Sequence, residues 1–166
     1  MTTVGSPNYT ASRCPVAPAG NLCAPENLGP FTAAGPEIAR KASIICYAES
    51  HGNQNCVDPS CTDPASRTSC ADPKSKVCIL FGCGTQYPKS YDVGLFQIGL
   101  WTWCPGAFTK VVPNTCPENQ NVDVLQACVT KYLNAADNIQ KAWEISKGGT
   151  YWWPWVTSRP QYCNIQ

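Results

Sequence analysis

Twelve cysteines in 166 residues constrain this chain more than any other feature. An even number at that density reads as a disulfide framework, which a reducing cytosol does not maintain. Structural zinc is the competing use of cysteine. Zinc sites favour close Cys pairs, and the closest pairs here are Cys56/Cys61 and Cys78/Cys83, with His51 the single histidine. The expectation is that all twelve cysteines are oxidised in pairs and that no metal or organic cofactor is required. Covalent staples also answer a shortage of core material. Only 30 of the 166 residues are Leu, Ile, Val or Phe, and cross-links supply stability that a thin apolar core does not.

Charge and the distribution of apolar residues each argue against one class of partner. Lys and Arg number 12 and Asp and Glu 11, a net charge of +1, and only 14% of residues are charged. Such a balance argues against a nucleic-acid binder steered by a basic face. No apolar run approaches the roughly 18–20 residues of a membrane span. Disulfides imply a secreted, extracellular protein, yet Met1 to Arg13 is polar and lacks the apolar stretch of a signal peptide. The expectation is that Met1 replaces an export signal already removed. Asn8-Tyr9-Thr10 is a glycosylation sequon.

Along the chain, residues 1–35 are rich in Pro, Gly, Ala and Asn and read as an irregular arm pinned through Cys14 and Cys23. A helix is predicted over 36–50. Pro36 suits its first position and Glu37 its positively polarised first turn. Ile38, Ala42, Ile45 and Glu49 then share one face, and Gly52 is placed to end it. Residues 51–91 read as a Cys-rich insertion, loop-like apart from a short strand over 77–81. From Val122 the pattern turns helical again through Leu125, Cys128, Tyr132, Ala136, Ile139 and Trp143. Two helices are predicted, about 122–133 and 135–147, with Asn134 capping the second and Asp137 three residues on; one long helix is the alternative. Gly148-Gly149 closes this region. No internal repeat is visible.

Two carboxylates invite a chemical reading. Glu49 lies in line with the apolar stripe of its helix, and burial disfavours a charged carboxylate. A Glu kept protonated can serve as a general acid, whereas a Glu at a frayed helix end simply reaches solvent. Asp92 stands just before Gly94, where its plain role is to bond nearby backbone in a turn. A raised Glu with a solvated Asp is the pairing used in glycoside hydrolysis. Trp101 and Trp103 lie two apart, so on a strand they face the same side. Trp152, Trp153 and Trp155 suit either a core or a cleft.

Ala48-Glu49-Ser50-His51-Gly52-Asn53 resembles the Glu-Ser segment that closes the catalytic helix of the lysozyme superfamily, goose-type lysozymes and soluble lytic transglycosylases included. Asp92-Val93-Gly94-Leu95-Phe96-Gln97-Ile98 resembles the Gly-Leu-Met/Phe-Gln motif of the same superfamily. Ser90 through Cys104 is similar to the chicken-type segment in which Ser-x-Asp-x-Gly-x-x-Gln-Ile leads to a Trp-Cys pair, here Trp103-Cys104. Asn138-Ile139 with Ala142 is similar to an Asn-Ile-x-x-Ala helix, and Gly148-Gly149 before Pro154-Trp155 to a Gly…Pro-Trp ending. The likeness spans roughly 36–156.

The resemblance implies an α+β, mainly helical, lysozyme-like domain over 36–166 with a small β element over 77–98 and disulfide-stapled loops. It implies Glu49 as general acid and Asp92 as second carboxylate. Gln97 and Trp103 match residues lining the sugar cleft, and Trp101 and Tyr151 join them as expected substrate contacts. The expected function is a secreted muramidase cleaving β-1,4 bonds of peptidoglycan, with a chitin-like polysaccharide left open as substrate and transglycosylation as outcome. The alternative is a lysozyme-like fold without catalysis that binds glycans or packs in an extracellular assembly. A third possibility, an unrelated disulfide-rich binding module, is disfavoured by the helical periodicity.

Overall fold

The computed structural model describes residues 14–59, 91–107 and 121–165. A 3-10 turn at Pro25–Asn27 leads into α1 (Pro30–Ala33) and α2 (Pro36–Ser50). Strands β1 (Val57–Pro59), β2 (Tyr91–Val93) and β3 (Ile98–Gly99) follow. Three helices come next, α3 (Leu100–Trp103), α4 (Val122–Leu133) and α5 (Ala135–Ile145), before a last 3-10 turn at Val156–Ser158. The described chain is thus mainly helical with a small sheet. No helix among the described residues is long and apolar enough to cross a membrane.

Helix α2 begins at Pro36 and ends at Ser50, as its pattern predicts. Its end differs in detail. His51, not Gly52, is the first left-handed residue, at φ 54°, and its N–H donates to the Tyr47 carbonyl over 2.9 Å. Gly52 continues the left-handed turn at φ 83°. The Ser50 hydroxyl accepts from the Gly52 N–H, and the Asn21 side chain donates to the His51 carbonyl. A Cβ on Gly52 would meet the Asn21 side chain, so glycine is needed there for close approach as well as for φ. The buried face is wider than the predicted stripe: Ala42, Ser43, Ile44, Ile45 and Cys46 are all buried in succession. Such a helix is surrounded, not laid on a surface. At its exposed start, Arg40 beside Glu37 holds that carboxyl below its ordinary range through a hydrogen bond.

The three strands form one antiparallel sheet in the order β1-β2-β3. Val57 lies opposite Val93 and Asp58 opposite Asp92, while Asp92 and Val93 face Gly99 and Ile98 on the other side. The sheet therefore opens at Val57, inside a stretch expected to be loop. The strand expected over 77–81 lies outside the described residues. The backbone of Trp101 and Trp103 lies in a helical turn, not a strand, so the strand on which they would share a side is not formed.

Helices α4 and α5 break at Asn134, as predicted. The Asn134 side chain accepts from the N–H groups of Ala136 and Asp137 at 3.0 and 3.2 Å. Asn121 caps α4 in the same way through Val124. The break shifts the buried face: Leu125, Val129 and Tyr132 face inward, Ala136 is exposed, and Asn138, Ile139, Ala142 and Ile145 face inward again.

Phe31, fully buried, is the hub of the core. It stacks on Phe96 and Trp152, each at 5.6 Å between centroids, and meets the edge of Trp143 at 5.2 Å. Trp155 closes the cluster against Phe96 and Trp152. The segment ahead of α2 thus supplies the central aromatic of the core. Cys23–Cys46 joins that segment to α2, Cys14–Cys163 joins the two ends of the described chain, and Cys104–Cys128 ties α3 to α4. Cys56 is disulfide-bonded too. None of the described cysteines is free, so none of these seven sulfurs remains as a thiolate for a metal.

Candidate functional site

Glu49 lies in the last turn of α2 and is half-buried. Its position follows from the pattern of the helix, since it continues the row of Ile38, Ala42 and Ile45. The Thr157 hydroxyl donates to Glu49 Oε1 over 2.6 Å. Thr157 belongs to the final 3-10 turn, 108 residues further along the chain. That turn is anchored on both flanks. The Trp155 indole N–H donates to the Phe96 carbonyl at 2.8 Å, and the Cys163 N–H donates to the Thr157 carbonyl at 2.9 Å. Cys163 is in turn bonded to Cys14.

Asp92 occupies the central strand and is half-buried. Its Oδ1 would lie 3.1 Å from a Cβ built on Gly99. The missing side chain at Gly99 therefore leaves room for the carboxylate on the face of the sheet. The turn that follows, Gly94 to Gln97, is held from three directions. Gly94 donates its N–H to the Cys56 carbonyl at 2.7 Å. Fully buried Asn138 accepts from the Phe96 N–H and donates to the carbonyls of Val93 and Tyr132, all within 2.9 Å. Trp155 caps the Phe96 carbonyl from the other side. A buried amide with both its donors and its acceptor matched is stabilising, and a partly matched one is costly.

Gln97 stands at φ 48° and turns its side-chain amide back on the turn. Its Nε2 donates to Gly94 O at 2.8 Å and reaches Cys56 O at 3.4 Å. The residue expected to line a cleft thus also staples its own loop to the start of β1. Trp103 is exposed at the end of α3, with the Lys141 ammonium 5.7 Å from its ring centroid. Tyr151 is exposed after α5, with the Lys147 ammonium 5.0 Å from its ring. These two rings are tied to α5 and the turn after it. Lys141 also pairs with Glu144, which raises the lysine and lowers the glutamate from their ordinary values. The backbone of Trp101 lies in α3; its side chain lies outside what the structure describes.

Hydrogen bonds join Thr157 to Glu49, Trp155 to Phe96, and Asn138 to both Phe96 and Val93, the residue after Asp92. Thr157 carries no motif and could not be singled out from the chain. Asn138 left a signal, a polar residue on an otherwise apolar helix face. No family model, curated protein or solved structure matches the chain.

Proposed function

We propose that this chain is a secreted, lysozyme-like glycoside hydrolase, a muramidase that cleaves β-1,4 bonds of peptidoglycan or a related N-acetylated polysaccharide. The observation that carries this reading is the half-buried Glu49 carboxyl at the end of the central helix, held in one orientation by a hydroxyl at 2.6 Å. A carboxyl held in this way is suited to deliver a proton to a defined point. Asp92, on a small sheet with its carboxylate accommodated over Gly99, supports the second role.

In this scheme Glu49 protonates the glycosidic oxygen as the carbon–oxygen bond breaks and its electron pair passes to that oxygen. Asp92 stabilises the positive charge left on the sugar carbon, or attacks it. Water then adds to that carbon and returns its proton to Glu49.

The test is cleavage of purified cell walls, followed by turbidity and product analysis. Glu49→Gln keeps shape but has no acidic proton, and the rate should fall roughly 10²–10⁴-fold with the fold intact. Asp92→Asn separates two routes. A large loss supports a two-carboxylate mechanism, which is the route favoured here. A near-normal rate with 1,6-anhydro products assigns the reaction to Glu49 assisted by the substrate's own N-acetyl group. A wild type inert on peptidoglycan and on chitin supports the alternative, a non-catalytic glycan-binding or structural protein. The engagement of Gln97 with two backbone carbonyls and the lysines over Trp103 and Tyr151 are the observations that favour that alternative.

A further inference from the structure

We infer that Thr157 is a positioning residue whose hydroxyl holds the Glu49 carboxyl, through Oε1, in the orientation from which its proton is delivered, and that the pinned C-terminal segment presents this hydroxyl. The inference rests on Glu49 being the acid of the proposed reaction.

Three observations carry it. The first is the bond itself, Thr157 Oγ1 donating to Glu49 Oε1 over 2.6 Å, at the short end of hydroxyl–carboxyl contacts. A hydroxyl donated to one carboxyl oxygen restricts rotation of the whole carboxyl group and so fixes where its acidic proton can be presented. The second is the stiffness of the platform. The Thr157 carbonyl accepts from Cys163, Ser158 accepts from Ile165 and donates its hydroxyl to Trp155 O, and Trp155 is pinned to Phe96. A threonine on a free tail would lose more entropy in ordering the hydroxyl than the bond returns. The third is burial. Glu49 and Thr157 are both half-buried, so water competes less for the bond than at an open surface. General acid catalysis depends on the reacting proton lying within about an ångström of its productive place, and a misplacement of that size costs roughly 10²-fold.

The experiment compares Thr157→Val, which keeps the shape and removes the hydroxyl, with Thr157→Ser, which keeps the hydroxyl. Rates are measured on solubilised cell-wall glycan strands, and the side-chain carboxyl carbon of Glu49 is followed by NMR, assigned by its loss in Glu49→Gln. The expected result is a roughly tenfold to hundredfold fall in kcat for Thr157→Val with KM little changed. The Glu49 resonance moves in the same variant, and Thr157→Ser restores both. A Thr157→Val enzyme as fast as wild type overturns the inference and leaves Glu49 as the acid. Equal losses in the valine and serine variants also overturn it, since they reduce Thr157 to a packing residue. A wild type inert on every glycan removes the catalytic reading of Glu49 and this inference together.

Discussion

Gly94 illustrates how one missing side chain can hold a turn together. Its φ is +78°, and a Cβ there would run into the Asn138 amide and the Tyr132 carbonyl. Glycine-to-alanine changes commonly stabilise a protein by narrowing the unfolded ensemble, but only where the native conformation accepts a Cβ. Here both the left-handed backbone and the overlap oppose it. Gly94→Ala should destabilise by about 2–5 kcal/mol, combining left-handed strain with overpacking. Urea denaturation followed by tryptophan fluorescence checks this, and a change within 0.5 kcal/mol of zero, on the order of an ordinary surface substitution, would contradict the packing described around Asn138. Glu37 shows the opposite case. Its bond to Arg40 favours the folded state above the unfolded carboxyl pKa and is lost as pH falls through the lowered folded value. Both partners are well exposed, so solvent screening leaves the pair little influence on stability.

The helices owe their ends to local chemistry and their burial to distant partners. Asn134 ends α4 with its N–H on the Lys131 carbonyl and opens α5 with its side chain. The break sets the phase of α5, and that phase delivers Asn138 to the turn between β2 and β3. Asn134→Ala should cost about 0.5–2 kcal/mol, the usual value of a cap. Asn134→Asp should recover most of it, because a carboxylate accepts the same two N–H bonds. Thermal and urea unfolding of the pair measures the difference. An alanine variant as stable as wild type would mean the two helices run on as one, without need of the cap.

Across the chain, Cys14–Cys163 joins positions 149 residues apart. Loop-closure entropy grows only slowly with length, and the shorter cross-links at Cys23–Cys46 and Cys104–Cys128 already restrict the unfolded chain. Replacing Cys14 and Cys163 together by serine should therefore lower stability by about 2–5 kcal/mol, measured by denaturant titration without reductant. Because Cys163 supports the Thr157 carbonyl, the double variant should also be cleaved earlier by protease after residue 150 than elsewhere. Early cleavage elsewhere would sever the proposed link between the bridge and the Thr157 platform.

The features legible in the chain are those set within a few residues. Pro36 and the Ile38–Ala42–Ile45 spacing mark α2, and Asn134 marks the break between α4 and α5, because capping and periodicity are local properties. The cysteine count made a disulfide framework readable, but not its partners, since pairing depends on which sulfurs the fold brings together. Glu49 and Asp92 were visible as unusual carboxylates with a familiar setting. Their surroundings were not. The wide burial of α2, the strand at Val57 and the place of Phe31 at the hub of the core arise from contacts between distant segments. So does the hydroxyl that reaches Glu49 from 108 residues away. Residue spacing carries no record of such contacts, because they exist only once the core has closed and brought separate turns within hydrogen-bond distance.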